Sequence, residues 1–307
     1  MQQRTYQKGV RVIRGGGSTL RPPNDRPLAM LAAEYGAEEV DLARQAGQIG
    51  YLGRVLVQTT LPHSRPRETA WERANGRLTL SLMAPPSVGL PYGVIPRLVL
   101  LWLTMEAKRS GQRELELGGT LTEFLDRIEL GRRGGERGDI GRLREQVTRL
   151  FSTTMLVRWD DDQAGSRGGA GMMVADDWML FWDPRRPDQR ALWKSSVVLS
   201  ERFFREVTEH AVPLDLAIIR TLRRSPLALD LYSWLTYRLP LVKQLDVVPW
   251  EALAGQFGAE YRRLRKFREK FLEALGSVVA EYPDARVEPS RSGLVLKPSK
   301  PSVPRLR

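Results

Sequence analysis

One order of elements is written twice along this chain, and it restricts the fold more than any single motif. An apolar helix, a short strand, a helix, a turn, a second helix and a β-hairpin are expected between about residues 96 and 182. The same order is expected between about residues 227 and 298. In the first copy the helix opens at Pro96, a favoured first-turn residue, and ends near Ser110 and Gly111. Leu98, Val99, Leu101, Trp102 and Met105 mark its inward side. ELEL, Glu114 to Leu117, reads as the short strand. Thr120 and Glu123 have the spacing of a capping box opening TLTEFLDRIEL. After the turn GRRGGERG comes DIGRLREQVTRLF, with Ile140, Leu143, Val147, Leu150 and Phe151 inward and Arg142, Glu145, Gln146 and Arg149 outward. TMLVRWD and MMVADDWMLFW are expected as strands around the loop DDDQAGSRGGAG.

In the second copy Leu214 to Arg223 reads as a helix broken at Ser225 and Pro226, and Leu227 to Leu239 is the apolar helix. LDVVP is the short strand, WEALAGQFG the next helix, and ARVEP with GLVLKP the closing hairpin. Pro249 stands where a Ser or Thr cap would be natural, so the WEALAGQFG helix lacks a capping side chain. WLT occurs at Trp102–Thr104 and again at Trp234–Thr236, at equivalent places in the two copies. Repetition of an architecture weighs more than either copy alone. The order in each copy is that of a winged helix, a helix-turn-helix backed by a hairpin. The expected fold is therefore α+β, with two tandem winged-helix units.

The stretch Tyr261 to Ala280 carries the clearest chemistry. On a helix, Tyr261, Leu264, Phe267, Phe271, Leu272 and Leu275 gather on one side, and Arg262, Arg263, Arg265, Lys266 and Lys270 on the other or at its edges. Such a face is either solvated or neutralised by an anion. Its place as the second helix of a helix-turn-helix points to the major groove of DNA. Arg268 falls toward the apolar side and is expected to snorkel. In the first unit Arg142 and Arg149 are the outward candidates, with Arg132, Arg133 and Arg137 in the preceding turn as phosphate contacts. Arg286, Arg291 and Lys297 on the second hairpin complete the candidate DNA-binding set.

Charge and composition support a polyanionic partner. The 307 residues carry a net charge of +12, which draws the chain to nucleic acid or an anionic membrane. The 42% hydrophobic content is enough to fill real cores. The chain has no cysteine, so disulfides, thiol catalysis and cysteine-ligated zinc are excluded. LVLLWLTM, Leu98 to Met105, falls far short of the roughly 18 apolar residues of a membrane span. No signal-peptide pattern is present, and a bacterial cytoplasmic location is expected.

Enzymatic readings lack their residues. His63 and His210 are the only histidines, and neither has a histidine two residues away, as metal-assisted strand nicking requires. Arg14 to Thr19, RGGGST, lacks the lysine of a phosphate-binding loop. Asp160, Asp161 and Asp162, with Asp176 and Asp177 behind them, read as solvated turn acids rather than a magnesium site. No catalytic residue, metal or cofactor is expected. The expected divisions are a flexible basic arm at 1–30, a first unit at 31–205 that opens on a helix from Leu28 to Ala46 and the strands YLGRVLVQTTLP and GRLTLSLM, a second unit at 206–300, and a tail at 301–307.

Ordered blocks between about residues 55 and 280 resemble the plasmid-encoded RepA replication initiators, a theta-type family with tandem winged helices. The resemblance rests on LVQTTLPHSRP, RANGRLTLSLM, LPYGVIPRLVLLWLTMEA, LELGGTLTEFLDRIELG, IGRLREQVTRLF, LWKSSVVLSERFF, VPLDLAIIRTLRRSPLALDLYSWLTYRL and WEALAGQFG. It implies binding of double-stranded DNA at iteron repeats of a plasmid origin, local opening of the duplex, and recruitment of host replication proteins such as an initiator or a helicase. It also implies a monomer on DNA and a homodimer off it, and the recurrent helix-turn-helix context argues against a membrane partner. A winged-helix transcriptional repressor or partition adaptor would carry the same sequence features.

Overall fold

The computed structural model describes residues 48–128, 139–161, 165–183, 185–258, 261 and 263–304. The expected arm at 1–30, the whole of the expected helix from Leu28 to Ala46, and the candidates Arg132, Arg133, Arg137 and Arg262 lie outside these residues.

The fold is a mixture of helices and small antiparallel sheets. It opens with β1 (Ile49–Gly53), a short helix α1 (Arg54–Gln58), and a hairpin of β2 (Ala70–Asn75) and β3 (Leu78–Met83). YLGRVLVQTTLP is thus not one strand. β1 pairs along its whole length with β9 (Ala211–Asp215), and the Glu206 carboxylate accepts from Val55 N at 3.0 Å, drawing the chain out of strand geometry. The hairpin partner of GRLTLSLM is AWERAN rather than YLGRVLVQTTLP. Its Glu72, Arg73 and Asn75 carry no strand signal. The partner strand decides its conformation, and Arg73 is buried with its guanidinium 4.3 Å from the Trp71 ring.

The first unit follows as α2 (Val94–Ser110), β4 (Glu114–Gly118), α3 (Leu121–Arg127) and α4 (Asp139–Phe151). Gly111 stops α2 in the left-handed region at φ 67°. The capping box forms: Thr120 Oγ1 accepts from Glu123 N at 3.0 Å, and the Glu123 carboxylate accepts from Gly119 N at 2.8 Å. Next come β5 (Thr154–Asp161), β6 (Ser166–Met173), β7 (Ala175–Met179) and β8 (Ser195–Leu199).

The expected hairpin is corrected here. The Gly-rich SRGGAG is strand rather than loop, because β5 pairs with it in continuous register. Trp159 lies across Gly168, where an added Cβ would fall 2.3 Å from the indole ring. The run MMVADDWMLFW divides between two sheets. One is β2-β3-β5-β6 and the other is β4-β8-β7. The strand that covers β4 is therefore β8, and the hairpin that closes the first unit is β7–β8.

α5 (Glu201–Glu209) is capped by Ser200, whose Oγ accepts from Phe203 N at 3.2 Å. The expected helix from Leu214 starts two residues later, as α6 (Leu216–Leu222), since Leu214 and Asp215 belong to β9. The second unit is α7 (Pro226–Arg238), β10 (Asp246–Pro249), α8 (Trp250–Phe257), α9 (Leu264–Glu281), β11 (Val287–Pro289) and β12 (Gly293–Leu296). Its sheet runs β10-β12-β11, the same arrangement as β4-β8-β7. The two WLT segments sit in α2 and α7, the equivalent first helices.

The buried apolar residues form one cluster containing side chains from both units. Its polar tie joins α2 to α7. Arg97 donates from Nε and Nη2 to the two carboxylate oxygens of Asp230 at 2.8 and 2.6 Å. The same guanidinium donates to the carbonyls of Leu61, Pro62 and Gly93. His63 Nε2 lies 2.8 Å from Asp230 Oδ2. Burial pushes the His63 imidazole below its ordinary value of 6.5, outweighing the hydrogen bond and charge of Asp230, so it is neutral near pH 7. Burial alone would raise the Asp230 carboxyl. The charge and hydrogen bonds of Arg97, with the contact from His63, outweigh it and hold the group below the usual carboxylate range. Among the described residues, no helix is long and apolar enough to cross a membrane.

Candidate nucleic-acid interface

The inward stripe of α9 fixes its outward one. Phe267, Phe271, Ala274, Leu275 and Val278 are buried, and Phe267 packs so closely on Gly258 that an added Cβ there would lie 2.5 Å from the ring. This ties the first turns of α9 to the end of α8. Leu264 was expected on the same stripe but is 41% exposed. The core ends at Phe267, one turn later, so Leu264 extends beyond it. It joins Arg263, Arg265 and Lys266 in an exposed row at the start of the helix. The first turn holds no acid.

The two lysines of the expected face are neutralised locally. Lys266 Nζ is 2.7 Å from Glu269, and Lys270 Nζ is 2.6 Å from Glu273. These i,i+3 pairs are exposed and weak, so a phosphate can compete with them. Arg268 lies inward as expected, 4.8 Å from the Trp250 ring, and donates to Ser290 O at 3.3 Å.

The second hairpin turns at Ser290–Ser292 and docks on the start of α8. Ser292 O accepts from Trp250 N at 3.3 Å, and Ser290 O accepts from Trp250 Nε1 at 3.1 Å. The carbonyl of Ser292 thus serves the helix start that Pro249 leaves without a side-chain cap. Arg286 and Arg291 are exposed, Arg291 at the turn itself. Lys297 is paired with Glu288 across the hairpin.

The first unit presents its second helix differently. Leu143, Val147, Leu150 and Phe151 are buried as expected. Two residues of the expected outward face are buried as well. Gln146 accepts from Tyr92 N at 2.9 Å, and Arg149, 6% exposed, donates to Leu90 O at 3.0 Å and pairs with Glu145 at 2.7 Å. The segment from Pro85 to Gly93 lies along this face, and Arg149 is a strut holding it rather than an outward cation. Periodicity within one helix cannot register a loop laid over it. Arg142 is half-buried.

Sequence reasoning passed over other cations here. Arg144 is exposed and lines a cleft of about 470 Å³ with Ser87, Gly141 and Thr148. Arg65 and Arg67 line an adjoining cleft of about 410 Å³ with Ser87 and Gly89. The run HSRPR was their one visible signal. The first hairpin docks as the second does, on the first turn of the preceding helix. Pro187 O accepts from Thr122 N at 3.3 Å, and Gly119 O accepts from Ala191 N at 3.1 Å. Of the acids, Asp160 pairs with Arg167 at 3.3 Å and Asp176 with Arg113 at 2.6 Å, Asp177 accepts from Trp178 N at 2.7 Å, and Asp162 lies outside the described residues.

Each unit therefore sets a cation-bearing helix beside a hairpin anchored to the helix before it, with exposed guanidinium groups on both parts. A family model described as plasmid encoded RepA protein matches residues 90–251, a little more than half of the chain. The chain belongs to that family, the replication initiators its sequence resembles. Among solved structures it is similar to a selenomethionine derivative of domains 2 and 3 of RctB. That likeness has a TM-score of 0.50 at 12% identity and covers 80% of this chain and 96% of the other. A second structure of RctB domains 2-3 has a TM-score of 0.46 at 12% identity, covering 79% of this chain and 96% of that one. No curated protein matches the sequence.

Proposed function

We propose that this RepA-family chain initiates plasmid replication by binding iteron-type repeats in origin duplex DNA through two tandem winged-helix units, each with a major-groove helix and a hairpin wing. The observation that carries this reading is the shared arrangement of α4 with β7–β8 and of α9 with β11–β12, each hairpin tied to the helix between strand and reader. α9 reads base edges through Arg265 and Arg263, with Lys266 and Lys270 exchanging their glutamates for phosphates. Arg144, Arg65 and Arg67 grip the backbone in the first unit, and Arg286, Arg291 and Lys297 in the second. The chain works by binding alone, without a catalytic site or cofactor. Its hold on the repeats favours local opening of the duplex and brings host replication proteins to the origin. It acts in the bacterial cytoplasm, as a monomer on DNA and a homodimer off it.

Footprinting on the origin of its own replicon tests this. Two protected major-groove segments about one helical turn apart are expected, with affinity falling steeply as salt rises, by a log–log slope near −0.9 per neutralised phosphate. One protected segment, or an affinity indifferent to salt, overturns the two-reader arrangement. Protection without any opening of the duplex leaves the repressor reading in its place.

A further inference from the structure

The two hairpins differ in what they hold at the tip. The second unit turns within Ser290–Ser292, whereas the first passes through Leu180 to Lys194 before returning in β8. This longer connection is fastened down. Trp182 is buried and stacks on Phe124 with ring centroids 5.0 Å apart. The Pro187 carbonyl accepts from both the N–H and the hydroxyl of Thr122 at 3.3 Å, and Ala191 N donates to Gly119 O. Immediately beyond the last tie stand Leu192 and Trp193, 89% and 64% exposed. A tethered loop that presents two adjacent large apolar side chains to water gives up the transfer free energy that burying them would supply.

The neighbours of this tip say what covers it. Arg185, Arg186 and Arg190 are exposed in the same loop, and Lys194 follows, paired with Glu116 at 2.8 Å. The loop's acids are Asp183, whose carboxylate accepts from Arg185 N at 2.9 Å, and Asp188. Cations outnumber acids around an apolar point. That pattern complements a surface with anions outside and flat apolar faces within, which is a DNA duplex with its phosphates and stacked bases. The loop also occupies the wing position, against the first turn of α3.

We propose that Leu192 and Trp193 form an apolar wedge that enters the minor groove beside the segment gripped by the first unit and partly unstacks one base step. Arg185, Arg186 and Arg190 hold the flanking phosphates. Wedges of this kind kink duplexes by about 20–90°, paying for unstacking with the surface the bend brings into contact. A kinked, unstacked step weakens the duplex where opening has to begin. The inference rests on the reading of this chain as a duplex-DNA binder.

The test uses the full chain and a short duplex that the full chain itself selects from a random-sequence library, with donor and acceptor dyes at its ends. The parent is expected to shorten the end-to-end distance on binding. Trp193→Ala and Leu192→Ser should lose most of that shortening, while Kd stays within about tenfold of the parent's because the phosphate contacts are intact. Trp193→Phe should retain the bend. Thermal melts should match the parent's, since both side chains are exposed. A parent that binds without bending, or a Trp193→Ala variant that bends the duplex as the parent does, overturns the wedge and leaves duplex binding standing. A Trp193→Ala variant that bends normally but no longer holds a host replication protein assigns the tip to protein docking and equally overturns it. A parent that selects no duplex at all removes the underlying function instead.

Discussion

The second helices of the two units, α4 and α9, occupy the same architectural place and present opposite surfaces. α9 begins one turn before its buried stripe, so Arg263, Leu264, Arg265 and Lys266 are exposed. α4 is overlaid by the chain from Pro85 to Gly93, which buries Gln146 and Arg149 and moves the exposed charge to Arg144 and to the rim at Arg65 and Arg67. The hairpins differ in the same sense, a tight turn beside the bare helix and a long anchored loop beside the covered one. Equivalent topology therefore does not transfer residue roles. Arg149 and Arg265 are both arginines on a second helix, yet one holds a loop and the other faces solvent.

The largest expected effect concerns the tie between the units. Asp230→Ala leaves Arg97 buried without its carboxylate and should cost about 3–5 kcal/mol in urea or thermal unfolding. A loss under about 1 kcal/mol would mean that the apolar cluster alone couples α2 to α7.

A smaller pair of effects separates the two arginines. Arg265→Ala should cost about 1–3 kcal/mol on the specific repeat and little on scrambled duplex, with an unchanged melting temperature. Arg149→Ala should do the reverse, losing about 1–3 kcal/mol of stability because Leu90 O and Glu145 lose their buried partner, with the ratio of specific to random binding intact. If Arg149→Ala changes that ratio and leaves the melt alone, the contrast between α4 and α9 fails. Leu264→Ala should cost less in the melt than Phe267→Ala, since Leu264 is 41% exposed and Phe267 is buried.

The smallest effect is on pH. His63 has a folded value below its ordinary 6.5, so the unfolded chain binds the proton first and the fold loses stability as pH falls below 6.5. Asp230, also held below its ordinary 3.8, adds a loss of the same sign at lower pH. Melting temperature should drop between about pH 7 and pH 5, and His63→Gln should flatten that drop. A parent curve that is level across this range would show that the imidazole takes up its proton equally in the folded and the unfolded chain.

The sequence by itself determined the elements whose causes are local. The apolar stripes of α2, α7 and α9 set those helices. Thr120 with Glu123, Ser200, and Ser225 with Pro226 set helix starts, and Gly111 set a stop. The repeated order of elements and the membership in the RepA family were legible for the same reason, because each copy is specified by its own residues. The tertiary structure alone decided the features whose causes are remote. β1 is a strand because β9 pairs with it, β2 because β3 does, and the Gly-rich β6 because β5 does and Trp159 fills the space at Gly168. The hairpin that closes the first unit is β7–β8 because β8 is the strand that reaches β4. Arg149 and Leu264 exchanged their expected exposures because burial depends on what else arrives at a face. A helix's own periodicity states which side is apolar, but not where the core ends or which loop crosses it.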